Sequence, residues 1–254
     1  MKKQTMKKEY GLLGYPLSHS FSKQYFENKF RKENIDATYV NYEFKDVEDI
    51  FEVIENNESL VGFNVTIPHK ESIMPLLDSV DSRAFKAGAV NVVKIERTEK
   101  FGIQLVGYNT DVTGFTNSIK PLLRECHKKA LILGTGGAAK AVKYSLCELG
   151  IDNIYVSRTT KNGFTINYDE LTKYILDEHK VIVNCTPVGT YPNVDEYIHL
   201  PYEYIGKEHL LFDLVYNPAT TAFMKKGVER GATVKNGQEM LELQAEAAWN
   251  IWNI

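Results

Sequence analysis

The sequence predicts an α/β protein built as two α/β domains, and three features of its 254 residues predict it. Residues 129–150 read as strand, glycine turn and helix. Residues 130–133 form a short apolar run, and Ala138, Ala141, Val142, Ser145, Leu146 and Leu149 recur at helical spacing until Gly150 stops them. Before this stretch, strand-like and helix-like segments alternate, the pattern of a small α/β sheet. After it, apolar runs at 154–157, 181–184 and 210–214 follow one another as parallel strands joined by crossovers would.

In chain order, residues 10–13 are a short strand leading into a turn-rich, hydroxyl-rich loop at 14–22. Tyr25, Phe26, Lys29 and Phe30 then mark the inner stripe of a helix. Residues 38–44 alternate like a strand, 47–54 suit a short helix, and 62–65 a strand that ends at 66–70. Residues 89–95 and 101–108 read as a hairpin around a charged turn, placed at the edge of the first domain. Asn109 to Phe115 open a helix carrying Phe115, Ile119 and Leu122. Only one helix, 168–176, fits between the strands at 154–157 and 181–184, and 233–234 is a short further strand. Residues 238–254 place Met240, Leu241, Gln244, Ala245, Ala248, Trp249 and Trp252 at helical spacing. The expected division is 1–110, joined by a returning helix at 238–254, and 111–237.

The chain is 43% hydrophobic and 25% charged with a formal net charge of -3, a balance that gives no electrostatic basis for binding nucleic acid or an anionic membrane. A small molecule is the expected partner, for a monomer or a homodimer. The lysine-rich residues 1–10 lack the apolar centre of a signal peptide, and no apolar run is long enough to span a bilayer, so a cytoplasmic protein is expected. Cys126, Cys147 and Cys185 are odd in number and widely spaced, which argues for buried thiols. The histidines, His19 and His69 among them, lack ligand spacing, so no metal is expected.

The glycine turn carries the first chemistry. Gly134, Gly136 and Ala139 match G-x-G-x-x-G/A between a strand and a helix: a tight turn, close backbone approach to a pyrophosphate, and helix–sheet packing. With Gly137 and Ala138 at the helix start, where N–H groups and the dipole favour an anion, this is a dinucleotide site and the second domain is Rossmann-like. The next strand ends in Ser157-Arg158-Thr159 with Lys161 beyond. No carboxylate stands there to bind the ribose hydroxyls of NAD, so the cofactor is read as NADP, with Arg158 on its 2′-phosphate. A nicotinamide enzyme acting on an alcohol also needs a group to manage the hydroxyl proton and anchors for the carbon. Lys70, just past a strand end, and Asn91 and Asp111, at the ends of strand-like segments, are the candidates.

The chain resembles the shikimate dehydrogenase family. Gly14-x-Pro16-x-x-His19-Ser20-x-Ser22 is similar to the family's substrate-carboxylate loop, and Asn64-Val-Thr66-x-Pro68-x-Lys70 to its catalytic-lysine motif. Gly88-Ala-Val-Asn91 and Asn109-Thr-Asp111-x-x-Gly114 resemble its substrate asparagine and catalytic aspartate segments. Asn184-x-Thr186-Pro-x-Gly189 and Asp213-x-x-Tyr216-x-Pro218 resemble its cofactor-domain loops, and residues 237–245 its return segment. The resemblance implies NADP-linked, reversible reduction of 3-dehydroshikimate to shikimate on the route to aromatic amino acids. It assigns catalysis to Lys70 and Asp111, and substrate contacts to Ser20, Ser22, Asn64, Thr66, Asn91, Tyr216 and Gln244. Cofactor contacts fall to Thr186, Gly237 and Met240, together with the glycine turn and residues 157–161. Lys23 stands where the family has proline, Ser157 where it has asparagine, and the short stretch after the second cofactor-domain strand leaves out a crossover helix.

Simpler roles stand beside these. Ser20 and Ser22 either bind an acid or cap the following helix, and Asp111 either serves the reaction or caps its own helix, with Thr110 beside it as the alternative cap. Tyr216 is packed or functional, and the 240–252 stripe is core or cofactor contact. Lys70 acts as a neutral base if burial lowers its pKa from an ordinary ~10.4, or as a fixed cation if Asp111 raises it. A quinate-accepting relative is the nearest alternative function, and a non-catalytic nucleotide sensor the alternative from another class.

Overall fold

The computed structural model describes residues 7–17, 21–159 and 165–254. The chain divides into two compact units, Met1–Thr110 with Ala245–Ile254, and Asp111–Gln244. The return to the first unit thus falls inside the last helix, at Ala245, and not at its start, Gln238.

The first unit begins with β1 (Lys8–Gly14), α1 (Phe21–Glu33), β2 (Ala37–Glu43), α2 (Ile50–Asn56) and β3 (Leu60–Val65). It continues with β4 (Ser79–Val80), α3 (Ser82–Ala87), β5 (Val92–Thr98) and β6 (Gly102–Tyr108). The six strands form one mixed sheet, ordered β2-β1-β3-β5-β6-β4. The β5–β6 hairpin is antiparallel, but it is not the sheet edge: β4 pairs parallel with β6 outside it. A two-residue strand carries no readable alternation, so the sequence alone puts the edge one strand too early. On β2 the side chains alternate, Ala37 and Tyr39 into one core and Val40 and Tyr42 into the other. The core that holds Tyr39 also takes Tyr10, Phe26, Phe30 and Trp252. There the Trp252 indole N–H donates to the Val93 carbonyl at 3.0 Å. A Cβ on Gly62 would fall 2.5 Å from that nitrogen, so Gly62 is the residue that lets the tryptophan reach the sheet.

The second unit contains α4 (Thr110–Ile119, from Asp111 onward), β7 (Lys129–Leu133), α5 (Gly137–Glu148), β8 (Asp152–Val156) and β9 (Thr165–Ile166). Then come α6 (Lys173–Glu178), β10 (Val181–Asn184), β11 (Leu210–Asp213), α7 (Ala222–Glu229), β12 (Thr233–Lys235) and α8 (Gln238–Trp252, to Gln244). Its six strands are all parallel, in the order β12-β11-β10-β7-β8-β9. In chain order this is 6-5-4-1-2-3, the doubly wound arrangement whose strand order reverses between β7 and β10. Ligands of such sheets bind beyond the carboxyl ends of the strands at that reversal. Phe115, Ile132, Ala139, Val142, Phe212 and Met240 share the core that fixes α4 and α5 to the sheet. The helix expected at 168–176 is split, because Leu171 is extended (φ -72°, ψ 92°) and Thr172 caps a new start by accepting from the Ile175 N–H. Residues 157–164 separate β8 from β9, and 160–164 lie outside the described residues.

Candidate active site

At the strand reversal of the second unit, the carboxyl end of β7 runs into Gly134, which has φ +106° and donates its N–H to the Val156 carbonyl at 2.9 Å. That left-handed backbone favours glycine. A Cβ here would also stand 3.1 Å from the Thr186 methyl, so the turns after β7 and β10 already touch. Gly136 precedes α5 in an extended conformation and has open space where a Cβ would lie. No side chain caps the helix, so the N–H groups of Gly137 and Ala138 are available to an anion. Ala139 is fully buried in the core, the packing role expected of the third motif position.

Beside this turn lies a buried polar network at the ends of β10 and β11. The Asn184 amide donates to Asp213 at 2.8 Å, and its carbonyl oxygen accepts from the Thr186 N–H at 2.9 Å and the Thr186 hydroxyl at 2.7 Å. Asp213 also accepts from the Val215 N–H at 3.0 Å and the Thr221 hydroxyl at 2.6 Å. Asn184, Asp213 and Thr221 are fully buried, and burial pushes the Asp213 carboxyl up to about 6 against the pull of its three donors. The network fixes the Thr186 turn to the sheet. In the sequence Asn184 and Asp213 belong to the cofactor-loop motifs, whereas Thr221 stands outside every motif. Its one signal was a threonine ahead of a helix, and Thr221 does cap α7.

At the end of β8, Ser157 donates its N–H to the Ile166 carbonyl at 3.0 Å, and its hydroxyl accepts from the Thr159 N–H at 3.4 Å. The hydroxyl thus shapes the turn itself. The Asn167 amide holds the Arg158 carbonyl at 3.3 Å, while the Arg158 side chain is exposed. Lys161 lies outside the described residues.

In the first unit a continuous hydrogen-bonded string joins the expected substrate residues. Tyr39 donates to Asn64 Oδ1 at 2.7 Å, and Asn64 Nδ2 donates to the Asn91 carbonyl at 3.3 Å, while burial drives the Tyr39 phenol up and neighbouring Ser22 pulls it down. Asn91 Oδ1 accepts from the Thr110 N–H at 2.7 Å, and its Nδ2 donates to the Thr110 hydroxyl at 3.1 Å. Asn91 therefore satisfies the first N–H of α4 from another segment. Asp111 lies inside the first turn, so neither Asp111 nor Thr110 is the capping residue. Ser22 is the second residue of α1, and Ser20 lies outside the described residues.

Lys70 ends a loop anchored on both sides. Thr66 donates its N–H to the Leu13 carbonyl at 2.8 Å, Tyr15 to Ile67 at 3.0 Å, and Val90 to the Lys70 carbonyl at 2.8 Å. His69 lies 2.8 Å by Nε2 from the Phe44 carbonyl. A Cβ on Gly14 would lie 2.4 Å from the Thr66 methyl, so glycine is required for β1 to approach this loop. The Lys70 side chain is half-buried.

The remaining expected contacts lie in the second unit. A Cβ on Gly237 would fall 2.1 Å from the Leu214 carbonyl oxygen, so only glycine fits. Met240 is 5% exposed within the core, as an apolar helix stripe suggests. Gln244 is buried and backs onto Gly114, whose absent Cβ would stand 3.0 Å from the Gln244 Cβ. Tyr216 is half-buried, and burial raises its phenol.

Residues 12–93 match the family described as the shikimate dehydrogenase substrate binding domain. The chain is 35% identical to the shikimate dehydrogenase (NADP(+)) of Caldanaerobacter subterraneus, over 99% of this chain and 94% of that one. It superposes on the crystal structure of shikimate dehydrogenase from Aquifex aeolicus with a TM-score of 0.84 and 34% identity, over 98% and 93% of the two chains. Against the Thermus thermophilus shikimate 5-dehydrogenase in complex with NADP(H) and shikimate, the TM-score is 0.81 at 28% identity, over 96% and 93%. With relatives of this identity aligned along nearly its whole length, the chain belongs to the shikimate dehydrogenase family.

Proposed function

We propose that this protein catalyses the NADP-linked, reversible reduction of 3-dehydroshikimate to shikimate, a cytoplasmic step in making chorismate and the aromatic amino acids. The observation that carries the reading is the relationship over 99% of the chain to a shikimate dehydrogenase (NADP(+)). It also disfavours the nucleotide-sensor alternative, since the relatives matched over 94% and 90% of their own length are dehydrogenases. No helix among the described residues is long and apolar enough to cross a membrane.

The residues present suit the cofactor: a positive-φ glycine turn, an uncapped helix start and an exposed arginine where NAD sites carry an acid. When bound, NADPH supplies the hydride. Gly134, Gly136, Gly137 and Ala138 hold its pyrophosphate, and Ser157, Arg158, Thr159 and Lys161 its 2′-phosphate. Thr186, Gly237 and Met240 border its nicotinamide end. Ser20 and Ser22 offer hydroxyls to the substrate carboxylate, while Asn64, Thr66, Asn91, Tyr216 and Gln244 contact its ring hydroxyls and oxo group. Lys70 gives the proton to the carbonyl oxygen as it becomes a hydroxyl and takes it back in oxidation, with Asp111 as the second catalytic group. Substrate and cofactor are the small-molecule partners of a monomer or homodimer.

The test is the absorbance of reduced nicotinamide with NADP and shikimate, quinate or no acid. Shikimate-dependent reduction is expected. Turnover on quinate at an equal or greater rate would move the protein to the quinate reading, and no turnover with either acid would overturn the proposal.

A further inference from the structure

The polar string of the first unit admits one arrangement of its protons. Asn64 Nδ2 faces the Asn91 carbonyl oxygen at 3.3 Å. Turning the amide over would oppose two acceptors, so this carbonyl fixes Oδ1 toward Tyr39. Oδ1 only accepts, and the Tyr39 hydroxyl at 2.7 Å must give its single proton there. Burial drives the Tyr39 phenol up, with Ser22 pulling against it, so the proton stays on the hydroxyl. Tyr39 itself is 3% exposed and lies stacked on Phe26, centroids 4.8 Å apart at 11°, so its hydroxyl has no room to swing away. The second N–H of Asn64 Nδ2 has no partner among the described residues, although the side chain is only 4% exposed. A buried donor left open in this way is held for something else.

We propose that Tyr39 is a positioning residue for the substrate. It touches no ligand, but its hydroxyl locks the Asn64 amide so that a free N–H is presented to a substrate hydroxyl. The inference rests on the reading of the protein as a shikimate dehydrogenase.

Tyr39→Phe keeps the ring and its stacking and removes only the hydroxyl. Asn64 Oδ1 is then left without a donor, and the amide loses the partner opposite the Asn91 carbonyl. The KM for shikimate should rise about tenfold, the scale of one hydrogen bond. Turnover should change much less, and NADP affinity should not change. In the Asn64→Ala background the same change should have no further effect on KM, because its route to the substrate is gone. A Tyr39→Phe protein with normal KM, or one whose effect persists undiminished beside Asn64→Ala, overturns the proposal and leaves Tyr39 a purely structural residue. Asn64→Asp decides the matter if Tyr39→Phe does not fold: it keeps an acceptor for Tyr39 but discards the positioned donor, and an unchanged KM would refute the proposal. The wild-type protein assayed alongside separates the two failures, since absence of any shikimate turnover there refutes the functional reading and this inference with it.

Discussion

The Asn184 amide stands 2.8 Å from the Asp213 carboxylate, both fully buried at the carboxyl ends of the neighbouring strands β10 and β11. The pair fastens the turn carrying Thr186 beside the glycine turn of β7, and it does so with a carboxyl that burial has pushed up to about 6.

That shift has a sign in stability. The folded state binds the Asp213 proton more tightly than the unfolded chain, so its contribution is fully present below the ordinary value of 3.8 and is lost as pH rises through about 6. The size is about 3 kcal/mol by the free energy of roughly two pK units. Asp213→Asn, which cannot ionise, should therefore gain on the wild type between pH 4 and pH 7. Urea denaturation of the two proteins across that range checks this, and a constant difference would contradict it.

Two histidines act in the opposite sense. His127 Nδ1 accepts from the Arg124 N–H at 3.0 Å, leaving Nε2 to donate to the Glu208 carbonyl at 3.0 Å. His209 repeats the arrangement with the Gly206 N–H at 3.1 Å and the Leu176 carbonyl at 2.9 Å. Burial holds both below the ordinary 6.5, and a second proton would set N–H against N–H. Their stabilisation is present above 6.5 and falls away as pH drops toward the lowered values. His127→Gln together with His209→Gln should flatten the acid limb of the stability profile below pH 6.5. A wild-type slope in that double variant would exclude the two rings as its source.

Arg158→Ala should weaken NADP binding by roughly ten- to a hundredfold, the scale of a charge-assisted hydrogen bond, while sparing NAD. Titration of both cofactors measures this. Equal losses would mean that the arginine does not read the phosphate.

The sequence made the strands of both sheets legible wherever apolar runs were long enough, and the glycine turn placed β7 and α5 to within a residue or two. The stretch from Met74 to Ala87 was missed, although Asp81 caps α3 by accepting from the Arg83 N–H and Gly88 ends it at φ +68°. Both signals were present, but a six-residue helix has too few turns to show a stripe. The substrate residues could be named by motif, whereas Tyr39 could only be placed on a strand. What its hydroxyl meets lies 25 residues away at Asn64, and local spacing carries no record of such a contact. The bond from Thr221 to Asp213 was hidden for the same reason, and the cap expected of Asp111 or Thr110 is supplied by Asn91, 19 residues before Thr110.

The loop that carries Lys70 is tied by backbone hydrogen bonds to Leu13, Tyr15 and Val90, so removing the amine should leave the loop and the cofactor site intact. The decisive measurement is shikimate-dependent NADP reduction by Lys70→Ala beside the wild type, with NADP affinity determined for both. Loss of turnover by about 10²- to 10⁴-fold, the usual cost of removing a general acid or base, is predicted with NADP affinity unchanged. Turnover near the wild-type rate would contradict the catalytic assignment and return Lys70 to an ordinary solvated lysine.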